Sequence, residues 1–338
     1  MKPLRRILIL FILFGSQIYC GPMSTYFIAF WNVENLFDTI DDPQTKDDEF
    51  TPTGQYEWTP ERLRYKIELL SGAINDVNET RGPDILGFAE IENIEVLNAL
   101  NSKLNRNYQI IHRDSPDERG IDAALLYDAS RFKLVGTYFH RIPLGYKDTS
   151  REIIEGVFMP IDENSDAKLY VFVNHWPSHY GGSKKTDAKR RIAAQTLRDR
   201  INLIEATQPN ADIIVMGDLN DYPNMPSIYE VLSAKESPEV LLPSDLFNTT
   251  WHLHETPGQG THAYGGEWGV LDQIIVSQGM LDKKGFSWQT NSTLPNMPSY
   301  LINQSGKYEG APFRMFGGGQ YLGGYSDHLM ITCKIILN

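Results

Sequence analysis

The segment 211–223, ADIIVMGDLNDYP, constrains this chain more than any other. Ile213 to Gly217 form a run of apolar or small residues, too short and too β-branched for a helix, and predict a buried strand. Asp218, Leu219 and Asn220 follow at its end, before a turn marked by Asp221 and Pro223. A buried strand that carries a carboxylate and an amide to its tip can hold a metal-bound or water-bound phosphate. It can equally run into an ordinary Asx turn. The other strand ends decide between the two.

At 338 residues the chain can bury a substantial core, as one large domain or two small ones. Its formal charge of −12 argues against passive coating of nucleic acid by a basic surface. An acidic protein can still act on phosphates if a divalent cation offsets the repulsion. With only two cysteines, carboxylates must supply that cation's ligands. Lys2, Arg5 and Arg6 precede an apolar run from Ile7 to Phe14, the pattern of a secretory signal peptide and too short to span a bilayer. Residues 1–20 are therefore read as a signal, 21–338 as one domain, and the protein as exported: periplasmic, extracellular or lipid-anchored. Cys20 before Gly21 is a candidate lipidated residue and the one route to a membrane, although Gln17 and Tyr19 fit a lipoprotein signal poorly. Cys333 lies in an apolar strand pattern and reads as core.

Residues 26–33 (YFIAFWNV) predict a first strand with Asn32 near its end. The acidic, turn-rich segment 38–57 could hold structural Ca²⁺, but its spacing matches no loop motif and a solvated loop is expected. Thr59-Pro60-Glu61 opens a helix whose apolar face is Leu63, Ile67, Leu70, Ile74 and Val77. Residues 84–91 (DILGFAEI) predict a strand carrying Glu90, and 93–104 a helix. Strands are expected around 108–112, 121–127, 132–139, 153–159 and 169–174, the last delivering His175. A long basic helix follows over 186–205, on which Ile192, Leu197, Ile201 and Ile204 fall only roughly on one face. Beyond 211–223 come a short helix over 226–232, a strand over 270–276 with Asp272, an irregular stretch over 290–324, and a closing strand over 329–337 after Ser326-Asp327-His328. Strand runs interspersed with helices suggest an α/β fold with mixed or antiparallel sheets and outer helices.

Several strand ends thus carry matching chemistry: Asn32, Glu90, His175, Asp218, Asn220, Asp272, and Asp327 with His328. Taken singly, each is an ordinary turn former, rim residue or packed histidine. Together they join hard oxygen ligands suited to Mg²⁺ or Mn²⁺ with histidines suited to proton handling near neutral pH.

The segments WNVENL (31–36), FAEIE (88–92), NHWPS (174–178), GDLN (217–220), LDQIIVS (271–277) and SDH (326–328) resemble the endonuclease/exonuclease/phosphatase superfamily, the deoxyribonuclease-I-like fold, in order and over nearly the whole chain after residue 20. The resemblance implies a four-layer α/β sandwich, two packed sheets flanked by helices, with the site at one end. Carried over residue by residue, Asn32 and Glu90 would bind the metal with Asp327 close by. Asp218 and Asn220 would position the phosphate and the attacking water, and Asp272 would orient His328. His175 matches the second histidine of the deoxyribonuclease branch, oriented by Asp122, and Arg151 resembles a phosphate-contacting arginine, with a surface ion pair as the alternative. Metal-assisted phosphodiester hydrolysis is implied.

The substrate is less constrained. NHWPS, a glycine pair and a basic helix resemble secreted bacterial nucleases, and Lys184, Lys185, Lys189, Arg190 and Arg191 could grip a nucleic-acid backbone or form a solvated face. A sphingomyelinase-like or sugar-phosphate activity is the alternative, in which Trp251, Tyr264 and Trp268 would dock on lipid and not wall the site. A silent binding protein of the same fold is the third reading. Nothing implies a stable protein partner, and a monomer is expected.

Overall fold

The computed structural model describes residues 24–145, 149–161 and 165–338; the segment expected to be a signal, with Cys20, lies outside the described residues. Two seven-stranded mixed sheets pack face to face. The first is built around β1 (Ser24–Leu36), which pairs in parallel with β2 (Ile85–Ile91) and antiparallel with the closing strand Ile331–Leu337. It continues through β4 (Asp122–Asp128) to β3 (Tyr108–His112). The second runs in the order β5 (Phe132–His140), β6 (Ile153–Pro160), β7 (Leu169–His175), β8 (Asp212–Asp218) and Asp272–Val276, ending on two short strands.

Apolar residues from both sheets interdigitate between them, among them Phe30, Ile85, Val171, Met216, Ile274 and the buried Cys333. Helix α1 (Pro60–Thr80) and α2 (Ile94–Asn101) cover the outer face of the first sheet through Ile67, Leu70, Ile74, Val96 and Leu97. Thr59 caps α1 with its hydroxyl, and Pro60 fits the first turn, where no N–H is needed. Helix α3 (Ser183–Thr207) covers the second sheet. The result is the four-layer sandwich that the family resemblance implies.

The irregular face of α3 now has an explanation. Its buried stripe is Arg190, Ala193, Ala194, Leu197, Ile201 and Ile204, while Ile192 is only partly covered. Small residues and a buried arginine complete a face that a count of large apolar residues misses. The short helix expected over 226–232 is a single π-turn, Ser227–Val231.

Candidate active site

Strand pairing places the site in one row. At the tips of the second sheet His175 lies opposite Asp218 in the parallel β7–β8 pair, and Asp218 lies opposite Asp272 in the next, antiparallel pair. Gly217 permits the close approach: a Cβ there would come within 2.3 Å of the Asn174 carbonyl oxygen. The facing sheet contributes Asn32 and Glu90, each where a register shift breaks the β1–β2 ladder. Glu90 has φ +65°, a conformation a non-glycine residue holds at a cost of roughly 1–3 kcal/mol. The bulge turns its side chain toward the sheet tips.

Asn32 Nδ2 donates to Asp218 Oδ2 at 3.0 Å and to Glu90 Oε1 at 3.3 Å, so the two carboxylates share one donor. The Asn32 oxygen is engaged elsewhere, accepting the Glu34 N–H at 3.0 Å. Asn32 thus stands between Glu90 and Asp218, at the position the resemblance gives to a metal ligand. Asn35 N–H adds a bond of 2.9 Å to Glu90 Oε2. His175 Nε2 stands 3.7 Å from Asp218 Oδ2 and 3.9 Å from Glu90 Oε1. Asn220, with φ +50°, takes its backbone N–H to Asp218 Oδ1 at 3.0 Å and its side chain to the Trp176 carbonyl at 3.0 Å. The Asx turn of the alternative reading and the site are thus the same structure.

On the other side of Asp218, His328 Nδ1 lies 2.7 Å from Asp272 Oδ2, and its Nε2 is 4.0 Å from both Asp218 and Asp327. Three bonds seat the histidine: Ser326 Oγ donates to Asn32 O at 2.7 Å, His328 N donates to Ser326 Oγ at 3.0 Å, and Trp31 Nε1 donates to His328 O at 2.9 Å. Asp327 turns to Arg314, whose Nη2 donates to it at 2.6 Å.

Burial and charge push these groups apart. Burial alone would lower the His328 pKa, but Asp272, Asp218 and Asp327 outweigh it and hold the imidazole well above its ordinary value. For His175, burial dominates and Arg151, Arg119 and His328 reinforce it, leaving the ring well below. Burial raises Asp218 to about 6, with His328 opposing and Asp272 assisting. Burial works to raise Asp327, yet His328, His262 and Arg314 bring it below the usual carboxylate range.

Several expected roles change. Asp122 does not orient His175. Its Oδ1 accepts the Ser115 N–H at 3.0 Å and its Oδ2 faces His112 at 3.7 Å, while the buried His175 Nδ1 has no hydrogen-bond partner among the described residues. Arg151 is neither a surface pair nor open to substrate: it is buried, bonded to the Trp176 carbonyl at 2.8 Å and to Asp117 at 3.0 Å. It clamps the turn after β7. Of the basic cluster, Arg190 is fully buried with its Nε 2.8 Å from Asp221 Oδ2, and Arg191 pairs with Asp187 at 2.8 Å. Lys184 and Lys185 remain exposed on the first turn of α3.

Other residues enter that sequence reasoning passed over. Glu34 is buried, accepts the Met315 and Phe316 N–H groups at 2.6 and 3.1 Å, and is pushed up to about 8 by burial and by Asp327. Lys66, also buried and drawn down to about 8 by burial, donates to the Glu34 carbonyl at 2.6 Å. Charged residues on a polar-looking helix and turn carry no sequence signal of burial. His262 packs on His328 with ring centroids 4.7 Å apart, in a hairpin of His262–Tyr264 and Glu267–Gly269. That hairpin forms a wall of the site: Trp268 is packed inward and Tyr264 is 81 % exposed.

The donor set fits a hard divalent cation. Glu90 and the buried Asp218 converge with only the Asn32 amide between them, and Asp218, Asp272 and His328 each bring a ligand atom within 4.8 Å of the others. Among the described residues, the acidic segment 38–57 contributes to no such trio. The largest cavity described, about 1000 Å³ around Arg106, Asp84 and Asp128, lies away from these residues at the opposite end of the strands.

The fold and the strand-end cluster are those of a phosphoester hydrolase family, and the comparisons agree. A model of the endonuclease/exonuclease/phosphatase family matches residues 27–336, and the chain belongs to that family. Similar solved structures include a family protein from Bacteroides thetaiotaomicron, with TM-score 0.56 and 16 % identity, covering 94 % of this chain and 99 % of that one. Another is D. rerio TDP2 complexed with single-strand DNA product, with TM-score 0.55 and 15 % identity over 92 % and 99 % of the two chains. The human Nocturnin catalytic domain with bound sulfate gives TM-score 0.52 and 16 % identity over 94 % and 98 %. No curated protein matches the chain by sequence.

Proposed function

We propose that this chain is an exported, divalent-metal-dependent phosphodiesterase that hydrolyses DNA or RNA. The observation that carries the reading is the row His175, Asp218, Asp272 facing Asn32 and Glu90, with His328 held on Asp272 at 2.7 Å. Glu90 and Asp218 would hold Mg²⁺ or Mn²⁺, which when bound supplies charge neutralisation at a non-bridging phosphate oxygen. Asp218, with one oxygen on the Asn220 N–H and the other toward His328, holds the attacking water in line. Asp272 fixes the His328 ring, so that its Nε2 donates to the phosphate as charge accumulates there. His175, kept neutral by burial, offers its ring to the leaving oxygen.

Nucleic acid is favoured over lipid by three supports. Lys184 and Lys185 are exposed on the turn after His175, the hairpin that could have docked on lipid is built into the site wall, and a structure of the same fold holds single-strand DNA product. The test is a panel of plasmid DNA, RNA, sphingomyelin and sugar phosphates, each with Mg²⁺, Mn²⁺ or EDTA. Metal-dependent, chelator-sensitive cleavage of DNA or RNA is expected. Intact nucleic acid under every metal, with release of a lipid head group, would overturn the substrate assignment.

A further inference from the structure

Burial of Arg151 removes one expected phosphate contact, and a different arginine stands at the row with its charge unspent. Arg119 is exposed, in the turn between β3 and β4. That turn is held on both flanks: the Lys46 N–H donates to the Glu118 carbonyl at 2.8 Å, and Asp117 pairs with the buried Arg151 at 3.0 Å. Gly120 has φ +69°, and a Cβ there would come within 2.9 Å of the Thr45 side chain, so the turn lies tightly against residue 45. Within it the Arg119 N–H donates to Asp117 Oδ1 at 3.0 Å. The backbone that carries the guanidinium is thus fixed before any ligand arrives.

The partner of the side chain is a neutral one. Among the described residues the Arg119 guanidinium donates to Asn35 Oδ1 and pairs with no carboxylate, whereas Arg113, Arg151 and Arg314 each pair with one. An amide oxygen orients a guanidinium without neutralising it, and the remaining donors of the fork stay available for an anion. Asn35 is also the residue whose backbone N–H bonds Glu90 Oε2 at 2.9 Å, so the cation is pinned beside a catalytic carboxylate. His175 feels it: Arg119 is among the charges that depress the buried imidazole, while those acting on His328 are Asp272, Asp218 and Asp327. Arg119 therefore stands at the His175 end of the row, away from His328. In the function proposed above His175 faces the leaving oxygen, and a polynucleotide carries its next phosphate on the leaving nucleoside. We propose that Arg119, oriented by Asn35, binds that flanking phosphate and so favours polynucleotides over isolated phosphodiesters. The inference rests on the nucleic-acid reading of the site.

The test uses deoxydinucleotides with one scissile linkage, bearing a terminal phosphate on the leaving nucleoside, on the other nucleoside, or on neither. With Mg²⁺ or Mn²⁺ the unaltered protein should show kcat/KM about tenfold higher when the phosphate is on the leaving nucleoside, mainly through KM. Arg119→Ala should lose that advantage and Arg119→Lys should keep part of it. An advantage absent from the unaltered protein, retained in Arg119→Ala, or equal for a phosphate at either end would overturn the inference. So would an Arg119→Ala variant slowed equally on all three substrates, because the arginine would then act only through Asn35 on Glu90. Nicking of plasmid DNA by the unaltered protein, measured in parallel, reads the nucleic-acid assignment by itself. A protein that nicks plasmid but shows no terminal-phosphate advantage overturns this inference alone, and one that cleaves no nucleic acid overturns both.

Discussion

Asp221→Asn should destabilise the protein far more than a substitution beside a catalytic loop ordinarily does. Asp221 is fully buried; its Oδ2 accepts Ser227 Oγ at 2.5 Å and lies 2.8 Å from Arg190 Nε as an ion pair, while its Oδ1 meets His179 at 3.0 Å. Arg190 is equally buried, anchored at Thr186 Oγ1 at 2.7 Å. Removing one partner of such a pair leaves an uncompensated charge in the interior, at a cost of about 3–5 kcal/mol. With ~2–4 °C of Tm per kcal/mol for a domain of this size, the expected fall is roughly 6–20 °C. Differential scanning calorimetry in moderate salt measures it. A second arm isolates the cause: Asp221→Leu combined with Arg190→Met replaces the pair by apolar groups and should recover most of the loss. A Tm within about 2 °C of wild type for Asp221→Asn would refute the reasoning. So would a double variant no more stable than the single one, because Arg190 would then be a solvated, substrate-facing cation.

Two other expectations concern electrostatics. Burial raises Asp212 to about 7 although it accepts the Phe286 N–H at 2.7 Å. Its unfolded counterpart ionises near ~3.9, so between about pH 4 and 7 the folded state binds the extra proton and stability falls as pH rises. Asp212→Asn should therefore raise stability by roughly 1–3 kcal/mol at pH 8, discounted for partial solvation, with the advantage gone near pH 4; urea unfolding at both pH values checks this. Lys184→Ala with Lys185→Ala should weaken nucleic-acid binding and reduce the salt slope by about 1–2 while leaving kcat within a few-fold, as measured by affinity titrations between low and physiological salt.

Much of the site is legible because strand ends announce themselves. An apolar run that stops on Asp or Glu marks the strand and the residue at its tip for Asp218 and Glu90, whereas Asp272 opens its strand and His328 precedes one; the fold brings the four side chains together. What the sequence hides is the neighbour. Asp122 begins a strand as expected, but it faces His112 on β3 of its own sheet and not His175 on β7 of the other, because the sheet a strand joins is not written in the run itself. The amide of Asn32 could offer either end, and only the turn at Glu34 directs its oxygen away. Charge misleads most. Arg190, Arg151, Lys66 and Glu34 all read as surface by residue type, yet each is buried with polar partners supplied from distant segments, Asp221 in the case of Arg190.

The central claim is that His328, fixed by Asp272 beside Asp218, acts directly on the phosphodiester. It is tested most directly by the cleavage rate of His328→Ala on DNA and RNA with saturating Mg²⁺, its folding verified by an unchanged circular-dichroism spectrum. Loss of a group that donates to the reacting phosphate should lower kcat by at least ~10²-fold. A folded variant turning over near the wild-type rate would contradict the account.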